Sequence, residues 1–272
     1  MKNAAPTLQR IRDAHGWKRE YEKHLPISRF LFRPLGFLLT WLAIRLGLTS
    51  EAVSWISGAV GLAGCFCLIS GDPELLSTGI GLLLLFNLLD CVDGSIARTM
   101  KTENPYGRFL DSLCGGIIDL IFWGIIGVAA FRHPNLTFWQ DPFGYGPLFW
   151  PVLGFTASHL NMFHGYMERT FDELLRKHWE QSHMVGNEMP VTASRVDRID
   201  ASTNYRTKNI LRIINNNLRV RETHCILILI TYLVKAIDIP ILLYFFYYLS
   251  QSVVLLIVYS HRGRIAKMQQ AQ

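Results

Sequence analysis

The sequence predicts an all-α, polytopic integral membrane protein, and three observations carry that prediction. Half of the 272 residues are hydrophobic and only 18% are charged, too few to cover the surface of a soluble domain of this length. The apolar residues are clustered in runs near 51–71, 75–97, 108–131, 146–167, 222–237 and 239–260. Each is about 17–25 residues, the length that crosses roughly 30 Å of hydrocarbon, so six transmembrane helices are expected. Lys and Arg keep to one side of these runs: 25 of 27 fall in 1–50, 98–108, 169–221 and 262–267, leaving Arg132 and Lys235 elsewhere. Positive residues are retained on the cytoplasmic side, which places the amino terminus there. The same asymmetry explains the net charge of +6 and makes a nucleic-acid role unnecessary.

Taken in order, residues 1–50 form a cytoplasmic segment whose polar start shows no apolar core with a cleavage site, so no removable signal peptide is evident. Within it, "SRFLFRPLGFLLTWLAIRLGL" (28–48) has Pro34 suited to a helix start and Gly47 to a stop. Between Arg33 and Arg45 lie 11 residues, about 17 Å of helix, which is too short to span. An amphipathic helix lying in the interface is expected there. Residues 51–262 make the six-helix membrane domain, and 263–272 a cytoplasmic tail. "GDPE" (71–74) and "KAIDIP" (235–240) read as tight outer turns, and 132–147 as a longer outer loop rich in boundary aromatics. The polar stretch 169–221 holds Arg195, Arg198, Arg206, Lys208 and Arg212, either as a solvated loop or as cations that face a phosphate site. The five cysteines lie inside apolar segments without ligand spacing and read as structural thiols.

The chemistry concentrates in "LLDCVDGSIARTMKTENPYGRFLDSLCGGIIDL" (88–120). On a helix, Asp90, Asp93, Gly94 and Ala97 stand at i, i+3, i+4 and i+7, on one stripe within about 100° of arc. On the next run Gly107, Asp111 and Gly115 repeat every four residues. A short connection at Asn104-Pro105 folds the two stripes together and sets Asp93 level with Asp111. An ionised Asp in hydrocarbon costs about 2.5–3.5 kcal/mol on the lenient insertion scale, so something must offset three of them. Hard divalent cations such as Mg²⁺ or Mn²⁺, one or two bridged by the acids, are the first answer; protonated acids bonded between helices are the second.

Asp90-x-x-Asp93-Gly94-x-x-Ala97-Arg98, eight residues, then Gly107-x-x-x-Asp111 resembles the signature of the CDP-alcohol phosphotransferase family (CDP-alcohol phosphatidyltransferases). "GLTSEAVS" (47–54) and "PYGRFLDSL" (105–113) look like the corresponding flanks. The resemblance implies transfer of a phosphoalcohol group from a CDP-linked donor to a lipid or small-alcohol acceptor, with release of CMP, in phospholipid or related lipid synthesis. It implies Asp90, Asp93 and Asp111 as ligands of Mg²⁺ or Mn²⁺, two ions by expectation. Gly94, Ala97 and Gly107 would let the nucleotide approach the helices, and Arg98 would sit by the phosphates. A homodimer is the implied assembly.

One position departs: the family's pattern places a fourth Asp four residues after the third, as the base that activates the acceptor, and here Gly115 stands there. Asp119, one turn on, is the candidate substitute base, about 6 Å deeper and rotated by roughly 40°. A metal-bound hydroxyl needing no strong base, or a degenerate relative that binds nucleotide without turning it over, stands beside that reading. An ion or proton path is disfavoured because the acids cluster at one end of two runs. His159 and His164, five apart, are not a metal pair.

Overall fold

The computed structural model describes residues 6–16, 22–139, 144–146, 148–175 and 210–270, and among these the regular structure is entirely helical. Helix α1 (Leu8–Ala14) is capped by Thr7, whose hydroxyl accepts from the Arg10 N–H at 3.3 Å. A π-helical turn, Ser28–Phe32, runs directly into α2 (Arg33–Arg45), so the helix begins before Pro34, which is accommodated in the first turn of α2. Gly47, with φ 75°, ends the segment as predicted.

The next three helices, α3 (Ser50–Ile69), α4 (Pro73–Met100) and α5 (Pro105–Arg132), start where a polar side chain satisfies the first orphan N–H groups. Thr49 accepts from Ala52 at 3.1 Å, Asp72 from Glu74 at 2.9 Å and Asn104 from Gly107 at 2.7 Å. Then follow α6 (Phe149–Leu174), α7 (Ile210–Leu218), α8 (Arg221–Leu233) and α9 (Asp238–Gln270). Arg195, Arg198, Arg206 and Lys208 lie outside the described residues, as does the side chain of Arg212.

Among the described residues four helices, α3, α4, α5 and α9, are long and apolar enough to cross a membrane. The other two expected spans fall short for different reasons. Helix α6 has 26 residues, but His159, Asn161, His164 and Glu168 dilute its apolar character. Helix α8 has only 13, about 20 Å. It stops at Leu233 because the chain turns through Lys235, at φ 58°, before α9 begins.

Small residues decide how the helices meet. Helix α3 packs against both α4 and α5 through a buried face of Ser50, Ser54, Ser57, Gly58, Gly61 and Gly64. A Cβ on Gly58 would fall 2.9 Å from Cys114 Sγ, and one on Gly64 3.1 Å from the Gly79 carbonyl. In lipid there is little hydrophobic drive between helices, so close backbone approach supplies the attraction. The α5–α6 crossing is tighter still: Cβ atoms on Gly127 and Gly154 would run into the backbone carbonyls of Trp150 and Trp123. Trp123 and Trp150 are buried there, and Trp123 stacks on Tyr244 of α9 with ring centroids 4.3 Å apart. At this end Asp238 is fully buried and accepts the backbone N–H groups of Phe138 and Trp139 at 2.8 and 2.9 Å.

Large apolar side chains such as Phe66, Val152, Phe246 and Ile257 point outward. Helix α2 repeats this arrangement on a smaller scale. Gly36, Thr40 and Ala43 are buried and Gly36 approaches Cys91 of α4, while Leu35, Leu38 and Leu42 are exposed.

Candidate active site

The amino end of α3, the carboxyl end of α4 and the amino end of α5 lie together, because only short turns separate these helices. The turn between α4 and α5 is built from Lys101, in the left-handed conformation at φ 55°, whose N–H and that of Thr102 close the last carbonyls of α4, and from the Asn104 cap. Asn104 also donates to Glu51 of α3 at 3.0 Å, fastening the turn to the third helix.

Asp93 is buried, with 4% of its surface exposed. Its Oδ2 accepts from Ser54 Oγ at 2.5 Å and its Oδ1 faces the Gly94 N–H. Asp111 sits on the exposed rim of α5, and both it and Asp90 lie within electrostatic reach of Asp93. All three carboxylates also act on the Cys114 thiol. The predicted metal ligands therefore share one neighbourhood. Among the described residues, however, no group of three or more His, Cys, Asp or Glu converges on a point that would hold an ion. As a set of hard oxygen donors the acids fit Mg²⁺ or Mn²⁺.

The small residues do something the sequence does not announce. A Cβ on Gly94 would lie 3.1 Å from Arg98 Nη1, so Gly94 makes room for the Arg98 guanidinium one turn on. Arg98 Nε is buried without a hydrogen-bond partner, although Asp93 and Glu103 are near enough to act on its charge. Ala97 is half-buried on the same stripe, and Gly107 is held in the first turn of α5 by Asn104.

Gly115 makes room in the same way for a residue from another part of the chain. A Cβ there would fall 2.8 Å from Arg221 Nη2. Arg221, at the start of α8, donates through Nε and Nη2 to both oxygens of Asp119 at 3.0 Å, and through Nη1 to Asp90 Oδ2 at 3.2 Å. Its guanidinium lies 5.1 Å from the Phe86 ring centre. Both oxygens of Asp119, the candidate base, thus carry a hydrogen bond.

Beside these groups a cavity of about 290 Å³ is lined by Asn87, Asp90, Asp119, Asn161, Arg219 and Glu222, among others. It shares Asn161 and Arg219 with a second cavity of about 270 Å³. There Arg219 pairs with Glu168 at 2.8 Å, and His164 stands 4.0 Å from the same carboxylate. His159 Nδ1 bonds the Phe155 carbonyl at 2.7 Å. Sequence reasoning missed Ser54 and Arg221. Ser54 belongs to the i, i+3/i+4 stripe of small residues on α3, a signal present in the sequence. Arg221 gives none beyond its place at the start of an apolar run.

Comparison with known proteins agrees with the motif. Residues 35–156 match the family model described as CDP-alcohol phosphatidyltransferase. A phosphatidylinositol phosphate synthase of Mycobacterium marinum is 33% identical over 89 residues, which cover 32% of this chain and 37% of that protein. The match therefore spans little more than a third of the relative's length.

Proposed function

We propose, from the premise that residues 35–156 are a domain of the CDP-alcohol phosphatidyltransferase family, that this membrane protein moves a phosphoalcohol group from a CDP-linked donor to an acceptor hydroxyl in phospholipid synthesis. The acceptor oxygen forms a bond to the phosphorus bearing the alcohol, the pyrophosphate P–O bond breaks, and CMP leaves with the bridging oxygen. The observation that carries this reading is Arg98: a half-buried guanidinium whose Nε is buried without a partner, seated over Gly94 beside the acids, is a group in need of an anion.

In this reading Asp90, Asp93 and Asp111 hold Mg²⁺ or Mn²⁺. Such ions, when bound, neutralise the pyrophosphate and acidify the attacking hydroxyl. Ser54 orients Asp93. Gly94, Ala97 and Gly107 leave the donor space against α4 and α5, and Arg98 binds its phosphates. Asp119 takes the acceptor proton, for which it must give up a hydrogen bond from Arg221. The cavity lined by Asn161 and Arg219 takes the acceptor, and the relative's name puts a polyol phosphate on the acceptor panel.

The membrane arrangement follows the same proposal. All six helices α3, α4, α5, α6, α8 and α9 form the embedded bundle, with α8 a short member whose first turn belongs to the site. The site and the amino terminus face the cytoplasm, α2 lies in the interface with its leucines toward lipid, and two copies associate.

Purified protein supplied with Mn²⁺ and a panel of CDP-alcohols and acceptors should release CMP, and Asp93→Asn should end the release while leaving the protein folded. Absence of CMP across the whole panel, from protein that still binds the nucleotide, would refute the reading.

A further inference from the structure

The position at which the family pattern calls for an acid is occupied in space by a cation. Gly115 carries no side chain, and the volume a Cβ would enter is filled by the Arg221 guanidinium. That group makes three hydrogen bonds, two to Asp119 and one to Asp90, joining α8 to the two helices that carry the motif. Neither acid stands in bulk water, with side chains 27% and 30% exposed, nor does Arg221 at 20%. At such separations in a poorly screened setting the guanidinium acts on Asp90 as strongly as any other charge near it.

We propose that Arg221 is a positioning residue that competes with divalent cations for Asp90 and thereby sets how tightly the site holds them. The inference rests on the metal-dependent reading above. A dication approaching Asp90 must displace Arg221 Nη1 or accept a positive charge beside it, and either raises the ion concentration the site needs. Gly115 is the permissive half of the device, since an acid there would clash with the guanidinium as it is seated. Asp119 is the anchor that keeps the guanidinium in place when Nη1 lets go, because it holds the other two donors. Gly115 and Arg221 together put a positive charge where the family pattern would have a negative one.

Mn²⁺ titration of the full chain in detergent, read by thermal shift and by the electron paramagnetic resonance signal of free Mn²⁺, tests this without turnover. Arg221→Gln should lower the Mn²⁺ midpoint about tenfold, and Arg221→Lys, which keeps the charge, should return it most of the way to wild type; a tenfold change is within the usual range of coupling between two sites. Because Arg221→Gln leaves two acids without their cation, the double variant Arg221→Gln/Asp119→Asn, which removes one charge of each sign, guards against a folding defect and should show the same gain. An unchanged or raised midpoint in the double variant overturns the inference, and so does an Arg221→Lys protein that behaves like Arg221→Gln. Failure of wild type and variants alike to bind Mn²⁺ overturns it together with the metal-dependent reading. CMP release by a protein whose midpoint ignores residue 221 overturns this inference alone.

Discussion

The two ends of the bundle use glycine for opposite purposes. Around the α5–α6 crossing, Gly127 and Gly154 lie against backbone carbonyls that have nowhere to go. At the acid end, Gly94 and Gly115 lie against the tips of two arginine side chains, which can move. The first pair sets how close two helices come and is a matter of folding. The second reserves volume for charge and is a matter of chemistry. One residue type serves both, and only the identity of the neighbouring atom separates them.

The same small change, a methyl group, therefore should have different consequences at the two ends. Gly127→Ala should have the largest effect: overpacking against backbone costs several times the roughly 1–3 kcal/mol typical of an extra methylene between side chains. The protein should elute as aggregate on size-exclusion chromatography after extraction, with activity lost alongside the fold. A monodisperse, active Gly127→Ala protein would erase the contrast. Gly94→Ala should leave folding intact, because Arg98 can swing away, yet lower CMP release about 10–100-fold by dislodging the cation proposed to meet the pyrophosphate. A loss of thermal stability comparable to that of Gly127→Ala would show that both ends are merely packed. Ser54→Ala sharpens the comparison most finely. It deletes the hydrogen bond to Asp93 and should weaken Mn²⁺ binding about tenfold, as loss of an outer-shell partner does, at a stability cost of about 1 kcal/mol. Mn²⁺ titration and thermal denaturation of one preparation measure both numbers.

Which parts of this were legible in the sequence follows the range of the signal. The extents of α3, α4 and α5 follow from local hydropathy, with the turns at 71–74 and Asn104-Pro105 readable within a few residues, whereas α9 starts with its apolar run but continues to Gln270, ten residues past it. The motif acids are legible for the same reason: their spacing puts them on helix faces without reference to the rest of the fold. The turn at 235–240 was legible, but the weakness of α6 and α8 as spans was not, because hydropathy of a run does not reveal that α8 holds only 13 residues or that polar groups on α6 line a cavity. The partners of the acids were hidden more deeply. Ser54 reaches Asp93 across 39 residues and Arg221 reaches Asp119 across 102, and no periodicity carries over such distances. That Gly94 abuts the guanidinium of Arg98 in the folded protein was likewise hidden, since the sequence shows only that both stand on one helix stripe.

The separation between Asp119 and Arg221 also bears on how the protein is made. The ribosome delivers α4 and α5, acids included, long before it reaches the arginine that ties two of them together. During that interval Asp90 and Asp119 lack the cation that pairs with both in the folded protein. A nascent chain halted before residue 221 would present two uncompensated carboxylates at the membrane's edge, a mark by which quality-control proteases could tell an unfinished polypeptide from a completed one.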